Sequence, residues 1–491
     1  MIRNAISLIG VALAVVCVAN ILFLIFIDYL HPSPYIGIFA YMILPAGLIL
    51  GLLLIPIGLL LERRRRRRMA PGVVPRYPRI DLNQRAQRSA FAFFVSFSAL
   101  FVVLSALGSY RAYEFTDSVQ FCGQLCHTVM NPEYTTYLNS PHARVACVDC
   151  HVGPGAGWYV RSKLSGAYQV YAATFNKFPR PIPTPVANLR PAQQTCEQCH
   201  WPSKFYGAQL RVFTHYASDE KNTPRQIRML VNIGGVQPVV GQAAGIHWHM
   251  NIANRITYVA SDAQRQVIPW VQMTDRSGRQ VTYLDKDSSL TPEQIQKAPK
   301  RLMDCIDCHD RPSHIFTPPD SSVDQALQSR HIDPSLPSIK QQAVTVLSAK
   351  YATTDEATRA IARDIDAFYS SKYPQVYSAQ QTSIRAAIAE LQAIYRSTMF
   401  PEMKVDWRTH PNNIGHFYFP GCFRCHDGQH ASADGSVIRK DCAVCHTVIG
   451  EATSGLSLMG SVQGIAFQHP VDIGDLMQVN CSDCHTGGTG P

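Results

Sequence analysis

The hydrophobic pattern divides this chain into an apolar head and a polar body. Residues 6–30 are almost unbroken Ile, Leu, Val, Ala and Phe, residues 35–61 form a second such run, and the Phe-rich residues 90–107 form a third. Each approaches the ~20 residues a helix needs to cross a bilayer. The first run is too long for the apolar part of a cleavable leader, and another follows at once. Three transmembrane helices are therefore predicted within 1–110, and no comparable run follows Tyr110. Further on, residues 255–262 and 266–284 alternate, are rich in Val, Ile, Thr and Tyr, and turn at Asp275-Arg276-Ser277-Gly278. They predict a small β-rich insertion over 201–304. Within 321–399 the spacing becomes helical. Thr354-Asp355-Glu356 opens a run to about Tyr369, and 379–399 carries Ile384, Ile388, Leu391, Ile394 and Tyr395 on one face.

Charge orients the head. The chain has a formal charge of +10, and residues 1–90 hold eleven Lys/Arg against three Asp/Glu, so +8 sits there. Arg63 to Arg68 is an unbroken basic run, with Arg76, Arg79, Arg85 and Arg88 after it. Basic loops stay cytoplasmic, so loop 62–89 is inside and everything after Tyr110 is outside. Between two spans, such a run gives no reason to invoke nucleic acid. Anionic lipid headgroups are its natural contact.

Fifteen cysteines do not read as a disulfide framework, because fourteen of them come in close pairs, each followed by histidine. Six pairs fit Cys-x-x-Cys-His: Cys147/Cys150/His151, Cys196/Cys199/His200, Cys305/Cys308/His309, Cys422/Cys425/His426, Cys442/Cys445/His446 and Cys481/Cys484/His485. A seventh, Cys122/Cys126/His127, has one extra residue between its cysteines. Two thiols at this spacing add to the vinyl groups of one porphyrin, and the adjacent histidine binds its iron. The expectation is seven haems c. Haem attachment is a periplasmic process, which agrees with the orientation given by the arginines. Cys17, left over inside the first span, reads as a small buried apolar residue.

A six-coordinate iron needs a second ligand, and eleven histidines lie outside the motifs. For the last three irons the candidates are His416, His430 and His469, with His410 in reserve. His430 lies too close to His426 to bind the opposite face of the same iron, so it would serve a neighbour. The plainer account of His247 and His249, on one predicted strand face, is a hydrogen-bonded or packed pair; a ligand or quinol-site role is the alternative. His31, His215 and His331 read as structural.

Several features resemble the NapC/NirT-type membrane-anchored multihaem quinol dehydrogenases. They are Phe121-Cys122, Cys126-His127, Met130, Ser140-Pro141-His142, Cys147-Val-Asp-Cys150-His151, Lys163, Cys196/Cys199-His200 and Cys305-Ile-Asp-Cys308-His309 with His314. The resemblance implies a four-haem module that accepts electrons from menaquinol. It also implies His142 on the iron of His309, His314 on that of His200, Lys163 at the second haem and Met130 at the first. The wider first motif leaves either Met130 or His127 to bind that iron. Three spans replace the family's single anchor, the interval from His200 to Cys305 is longer, and three more haems follow. That combination is most similar to the seven-haem inner-membrane cytochromes of metal-reducing bacteria.

The predicted fold class is a multihaem cytochrome c, mostly α and irregular, with N-terminal transmembrane helices and the β-rich insertion. Its expected parts are 1–110, a first haem region 111–200, the insertion 201–304, a fourth haem at 305–320, a helical spacer 321–399 and a three-haem domain 400–491. The expected function is menaquinol oxidation at the bacterial inner membrane, as a multi-pass protein whose haem domains face the periplasm and deliver electrons to periplasmic c-type cytochromes. A homo-oligomer or a larger membrane complex is compatible with this. Lys163, Glu114 and Asp117 are candidates for the base that takes the quinol proton, solvated interface charge being the plainer account of the two carboxylates. The rivals are a conduit subunit without its own quinol site and a multihaem oxyanion reductase.

Overall fold

The computed structural model describes residues 5–30, 44–67, 81–125, 127–153, 156–186, 189–234, 245–250, 254–288, 290–453, 459–461, 463–475 and 478–489. Cys126, the side chains of His127 and Lys163, and the link containing His31 lie outside them. The described residues form two compact units, Met1–His127 and Thr128–Pro491.

In the first unit, helix α1 (Ala5–Leu30) packs against α2 (Leu44–Arg67). Two helices among the described residues are long and apolar enough to cross a membrane, over Ile6–Leu24 and Leu44–Arg64. The Phe-rich stretch lies in α3 (Arg85–Thr116), where Phe93 and Phe94 are 71% and 67% exposed. Two apolar helices gain nothing hydrophobic by associating in lipid, so close backbone approach must hold them. The seam of α1 and α2 is accordingly small: Ser7, Gly10, Ala14 and Cys17 face Gly58, Gly51 and Gly47. Ser7 Oγ also donates to the carbonyl of Ile55 at 3.1 Å. Cys17 is buried, as read from the sequence, and a Cβ on Gly47 would meet its Sγ at 2.9 Å. Replacing Gly51 with leucine puts atoms where Gly10 O and Ala14 N stand 2.8–2.9 Å from its Cβ position. Gly51→Leu should destabilise the hairpin by ~1–3 kcal/mol. Gly108→Leu, with open space around that position, should not. Thermal unfolding of the detergent-solubilised protein distinguishes the two.

The second unit contains α4 (His127–Leu138), α5 (Ala156–Thr174) and two antiparallel sheets. One sheet has the order β1 (Gly207–Tyr216), β2 (Pro224–Gly234), β8 (His446–Thr453), β9 (Met459–Gly460). The other runs β6 (Arg301–Leu302), β3 (Arg255–Val259), β4 (Trp270–Thr274), β5 (Gln280–Asp285), β7 (His430–Ser432). The expected turn joins β4 to β5, with Gly278 at φ +84° donating its N–H to the Asp275 carbonyl at 3.0 Å. Both sheets borrow strands from the C-terminal region: Val231 pairs with His446, and Asp285 with His430. The insertion and the C-terminal haem region, read apart in the sequence, therefore share hydrogen-bonded sheets.

The main hydrophobic core belongs to the spacer. Helices α6 (Pro319–Gln328), α7 (Ile339–Ser348), α8 (Thr354–Lys372) and α9 (Gln381–Thr398) bury Leu327, Leu347, Ile361, Ile365, Ile384 and Leu391 completely or nearly so. Thr353 caps α8, its Oγ1 accepting the Glu356 N–H at 3.1 Å.

Candidate haem-binding sites

Each of the six regular motifs folds as a single turn, four 3-10 and two α-helical. One turn brings the two thiols, three residues apart, to the same side and leaves the histidine beside them. In four motifs the histidine N–H closes the turn on the carbonyl of the first cysteine: His200, His309 and His485 at 2.8 Å and His426 at 3.0 Å. Three motifs read Cys-x-Asp-Cys. There the aspartate accepts the backbone N–H just before the first cysteine, in Asp149 at 3.1 Å, Asp307 at 2.8 Å and Asp483 at 3.1 Å.

Asp307, 3% exposed, does more. Its Oδ1 also accepts from Tyr258 OH at 2.8 Å, Arg301 Nε at 2.7 Å and Arg265 Nη1 at 3.1 Å, which fastens this motif to the five-stranded sheet. Its backbone carbonyl accepts from Arg424 at 2.6 Å, and Arg424 lies inside the next motif.

Every one of these motif histidines faces a second histidine. The ring centres are 6.3 Å apart for His151/His314, 6.0 Å for His200/His142 and 6.2 Å for His309/His247. They are 5.8 Å apart for His426/His249 and 6.0 Å for both His446/His416 and His485/His469. Two imidazoles on opposite faces of one metal, each bound at about 2 Å, hold their ring centres roughly 6 Å apart. The six gaps therefore fit an iron.

Tautomers agree with that fit. The Nδ1 atoms of His142, His314, His247, His249, His426 and His469 lie 2.8–3.1 Å from backbone carbonyls. This places the proton on Nδ1 and leaves Nε2 for the metal. Burial holds the rings of His151, His309, His416, His446 and His485 below the usual imidazole range, and pushes His314 down to about 4. Neutral imidazole is the form that binds a metal.

The thiols differ in exposure from motif to motif. Cys199 and Cys484, both expected to hold haem, are exposed, as are Cys150 and Cys442. Their partners within the motifs, Cys196 and Cys481, are half-buried. Sequence spacing alone treats the two thiols of a motif as equivalent, and here they differ. The cause lies in the turns. Cys199 follows the exposed Gln198 and precedes the exposed His200, and Cys484 follows the exposed Asp483, so the second thiol of each sits on the outer side of a surface turn. A thioether forms at the edge of a porphyrin, and attachment asks that the thiol reach a vinyl group rather than that it be sunk in a core. An exposed thiol is also within reach of an attachment apparatus. Cys199 and Cys484 therefore stay in the candidate set on spacing and on their neighbouring histidine pairs, without support from burial.

Successive motifs are neighbours. Their thiols interact electrostatically, Cys150 with Cys196, Cys196 with Cys305, Cys308 with Cys422, Cys422 with Cys445, and Cys442 with Cys481. From Cys147 onward the sites thus form a file in sequence order.

Several expectations are corrected. His142 stands opposite His200, not His309, and His314 stands opposite His151, not His200. His247 takes the place opposite His309, so the facing histidines are displaced by one motif relative to what the resemblance implies. His314 thereby holds the position that the resemblance gave to Lys163. His247 and His249 lie on a 3-10 turn, Ile246–Met250, rather than on a strand, and both face motif histidines. His430 does not take the place opposite any of the six motif histidines: it is 1% exposed, with Nδ1 3.0 Å from Asp427 Oδ1 and Nε2 2.7 Å from the Ile268 carbonyl. Both ring nitrogens are thereby spent. Glu114 is exposed and paired with Arg111 at 3.0 Å, Asp117 is half-buried, and Met130 is half-buried on α4. His416 and His469 face His446 and His485 respectively.

Residues 84–181 match the NapC/NirT cytochrome c family, N-terminal region, and the chain belongs to this family of electron-transfer cytochromes. It is 48% identical to the cytochrome c-type protein ImcH of Geobacter sulfurreducens, over 99% of this chain and 97% of that protein. The cytochrome c-type protein NrfH of Wolinella succinogenes is 30% identical over 22% of this chain and 66% of its own length. The cytochrome c-type protein NapC of Haemophilus influenzae is 33% identical over 18% of this chain and 46% of its own. No solved structure gives a significant match. Membership of this family implies haem c, and together with the two N-terminal apolar helices it indicates a membrane anchor.

Proposed function

We propose that this chain is a membrane-anchored menaquinol dehydrogenase that holds seven haems c on the periplasmic side and passes electrons to periplasmic c-type cytochromes. Haem c, when bound, supplies reversible one-electron chemistry at iron. Menaquinol gives up two electrons and two protons, so the electrons must enter singly while a side chain or water takes each proton. Glu114, Asp117 and Lys163 remain the candidate proton acceptors. The Arg-rich loop after α2 supports an inside position for that loop, and α3 then crosses as the third span.

One observation carries the reading. The six regular motifs use twelve histidines in pairs. Four further described histidines bond through Nδ1 to other groups, His215 to Asp324, His331 to Glu390, His410 to Thr184 and His430 to Asp427, and none of them takes the place opposite one of the six motif histidines. The motif of Cys122, with one more residue between its cysteines, stands apart from these six. Its iron would take Met130 or keep an open face, unlike the six. An odd site that directly follows the last apolar stretch in the sequence is where a quinol donor would be met.

The test is spectroscopic. A menaquinol analogue should reduce the haems of the purified protein, and an inhibitory quinol analogue should perturb the electron paramagnetic resonance signal of one haem alone. Uniformly low-spin haems, inert to both reagents, would make the chain a conduit fed by another protein. Rapid nitrite turnover with a dye donor would instead favour an oxyanion reductase.

A further inference from the structure

We propose that the turn Ile246–Met250 is a two-iron ligand clip, with His247 binding the iron of the His309 site and His249 the iron of the His426 site. This rests on the reading of haem c at those two motifs. The ring centres of His247 and His309 are 6.2 Å apart and 4° from parallel. Those of His249 and His426 are 5.8 Å apart and nearly perpendicular, at 87°. In a 3-10 turn each residue advances about a third of a revolution, so side chains two positions apart leave on different sides. One short turn can thus serve two metals without crowding them.

The clip is tied to β2 and braced within its own turn. His247 Nδ1 lies 3.0 Å from the Ile233 carbonyl at the end of β2, and His249 Nδ1 lies 3.1 Å from the Ile246 carbonyl. Between them Trp248 packs on the core of Ile256, Tyr258, Ile268 and Val271, which Cys425 also joins. Gly245, at φ +98°, starts the turn where a Cβ would meet Asn232 O at 2.7 Å. The attachment segments are themselves coupled: Arg424 donates to the Asp307 carbonyl at 2.6 Å, and Cys308 interacts with Cys422.

The clip gives the β-rich insertion a task. It fixes the fourth and fifth sites against each other, at the step where electrons leave the family-like module for the C-terminal outlet. It also accounts for the displaced facing histidines, since His247 leaves His142 and His314 free for the third and second sites.

The experiment uses the full-length holoprotein carrying His247→Ala, His249→Ala or both. The cysteines are untouched, so covalent haem content by mass spectrometry should be unchanged. Each single variant should convert one low-spin haem to high spin, the double variant should convert two, and added imidazole should restore the low-spin signal. His331→Ala, at an exposed residue, is the control and should convert none. Unchanged low-spin content in either single variant overturns the clip. Should alanine cost haem content, His247→Met and His249→Met provide the second arm. Each should add the near-infrared charge-transfer band of a methionine-ligated ferric haem, and its absence from intact protein overturns the proposal. The quinol reading fails separately, when a menaquinol analogue reduces no haem of the unaltered protein. The haem reading fails if mass spectrometry finds no haem on the Cys305/Cys308 or Cys422/Cys425 peptides.

Discussion

Lys340→Met should cost about 3–5 kcal/mol of stability, the range for leaving a buried charge without its partner. Lys340 is 1% exposed in the spacer core. Its Nζ lies 2.6 Å from both Asp320 Oδ1 and Asp324 Oδ1, and 2.7 Å from the Asp320 carbonyl that accepts from it. The two aspartates are tied in turn to what surrounds them. Asp324 accepts the Tyr216 N–H at 3.0 Å and meets His215 Nδ1 at 3.1 Å, while Asp320 accepts from Tyr418 OH at 2.9 Å. Phe417 stacks on His215 at 5.5 Å and on His485 at 4.3 Å, so the network reaches the last haem site. Methionine keeps much of the volume but leaves the buried Asp324 and the partly exposed Asp320 without their shared cation.

The pH dependence separates this account from a simple packing defect. In the unaltered protein burial pushes the Asp320 carboxyl upward, but Lys340, by charge and hydrogen bond, and Tyr418 outweigh it and hold the carboxyl below its ordinary range. A depressed carboxyl contributes stability above its unfolded pKa of about 3.9 and loses it as the pH falls through the folded value. Without Lys340 the sign reverses, because burial then favours the protonated acid. Stability of the variant should improve on mild acidification, where this carboxyl leaves the parent unchanged, and the parent should decline only below its unfolded pKa of about 3.9. Denaturant unfolding at several pH values, followed by far-ultraviolet circular dichroism, reads both slopes. A variant that tracks the parent in slope would show that Lys340 contributes no charge to the fold.

How much of this was legible in the sequence follows from the reach of each interaction. Haem attachment is local chemistry, so the six regular motifs are plain as text. Their exposure is not, since Cys199 and Cys484 read the same as the half-buried Cys308 and Cys425 until the fold sets which turns face outward. The helices of the spacer were legible because Thr354-Asp355-Glu356 and the Ile384–Tyr395 face act within a few residues. Axial partners are different. A second ligand comes from anywhere the fold places it, and nothing near His314 names His151. His430 looked like a ligand because it follows a motif closely, yet Asp427, three residues before it, was the local signal for a hydrogen-bonded histidine. His247 and His249 looked like a surface pair because the metal sites they face lie 62 and 177 positions further along the chain. Sheet closure was hidden likewise. β8 begins on a motif histidine, His446, and finds its partner in β2 by non-local pairing.

The file of sites makes the second large prediction. Cys196→Ala/Cys199→Ala should remove the third haem and stop electron flow to a soluble c-type cytochrome at background level. The reasoning is topological. The thiol of Cys196 has interacting cysteine neighbours in the motif before it, at Cys150, and in the motif after it, at Cys305. His200 also interacts with His309. These interactions place the third site between the second and the fourth. A menaquinol analogue should then reduce only the haems before the gap, while dithionite, small enough to reach every site, should reduce all that remain. The difference between the two reduced spectra counts the stranded haems, and mass spectrometry confirms that only one attachment was lost. Full reduction by the quinol analogue would mean that electrons enter beyond the third site, and the quinol would then have to meet the chain somewhere other than the odd motif at Cys122. Partial reduction with flow to the acceptor intact would point to an exit before the gap, making the last three haems a reservoir rather than an outlet.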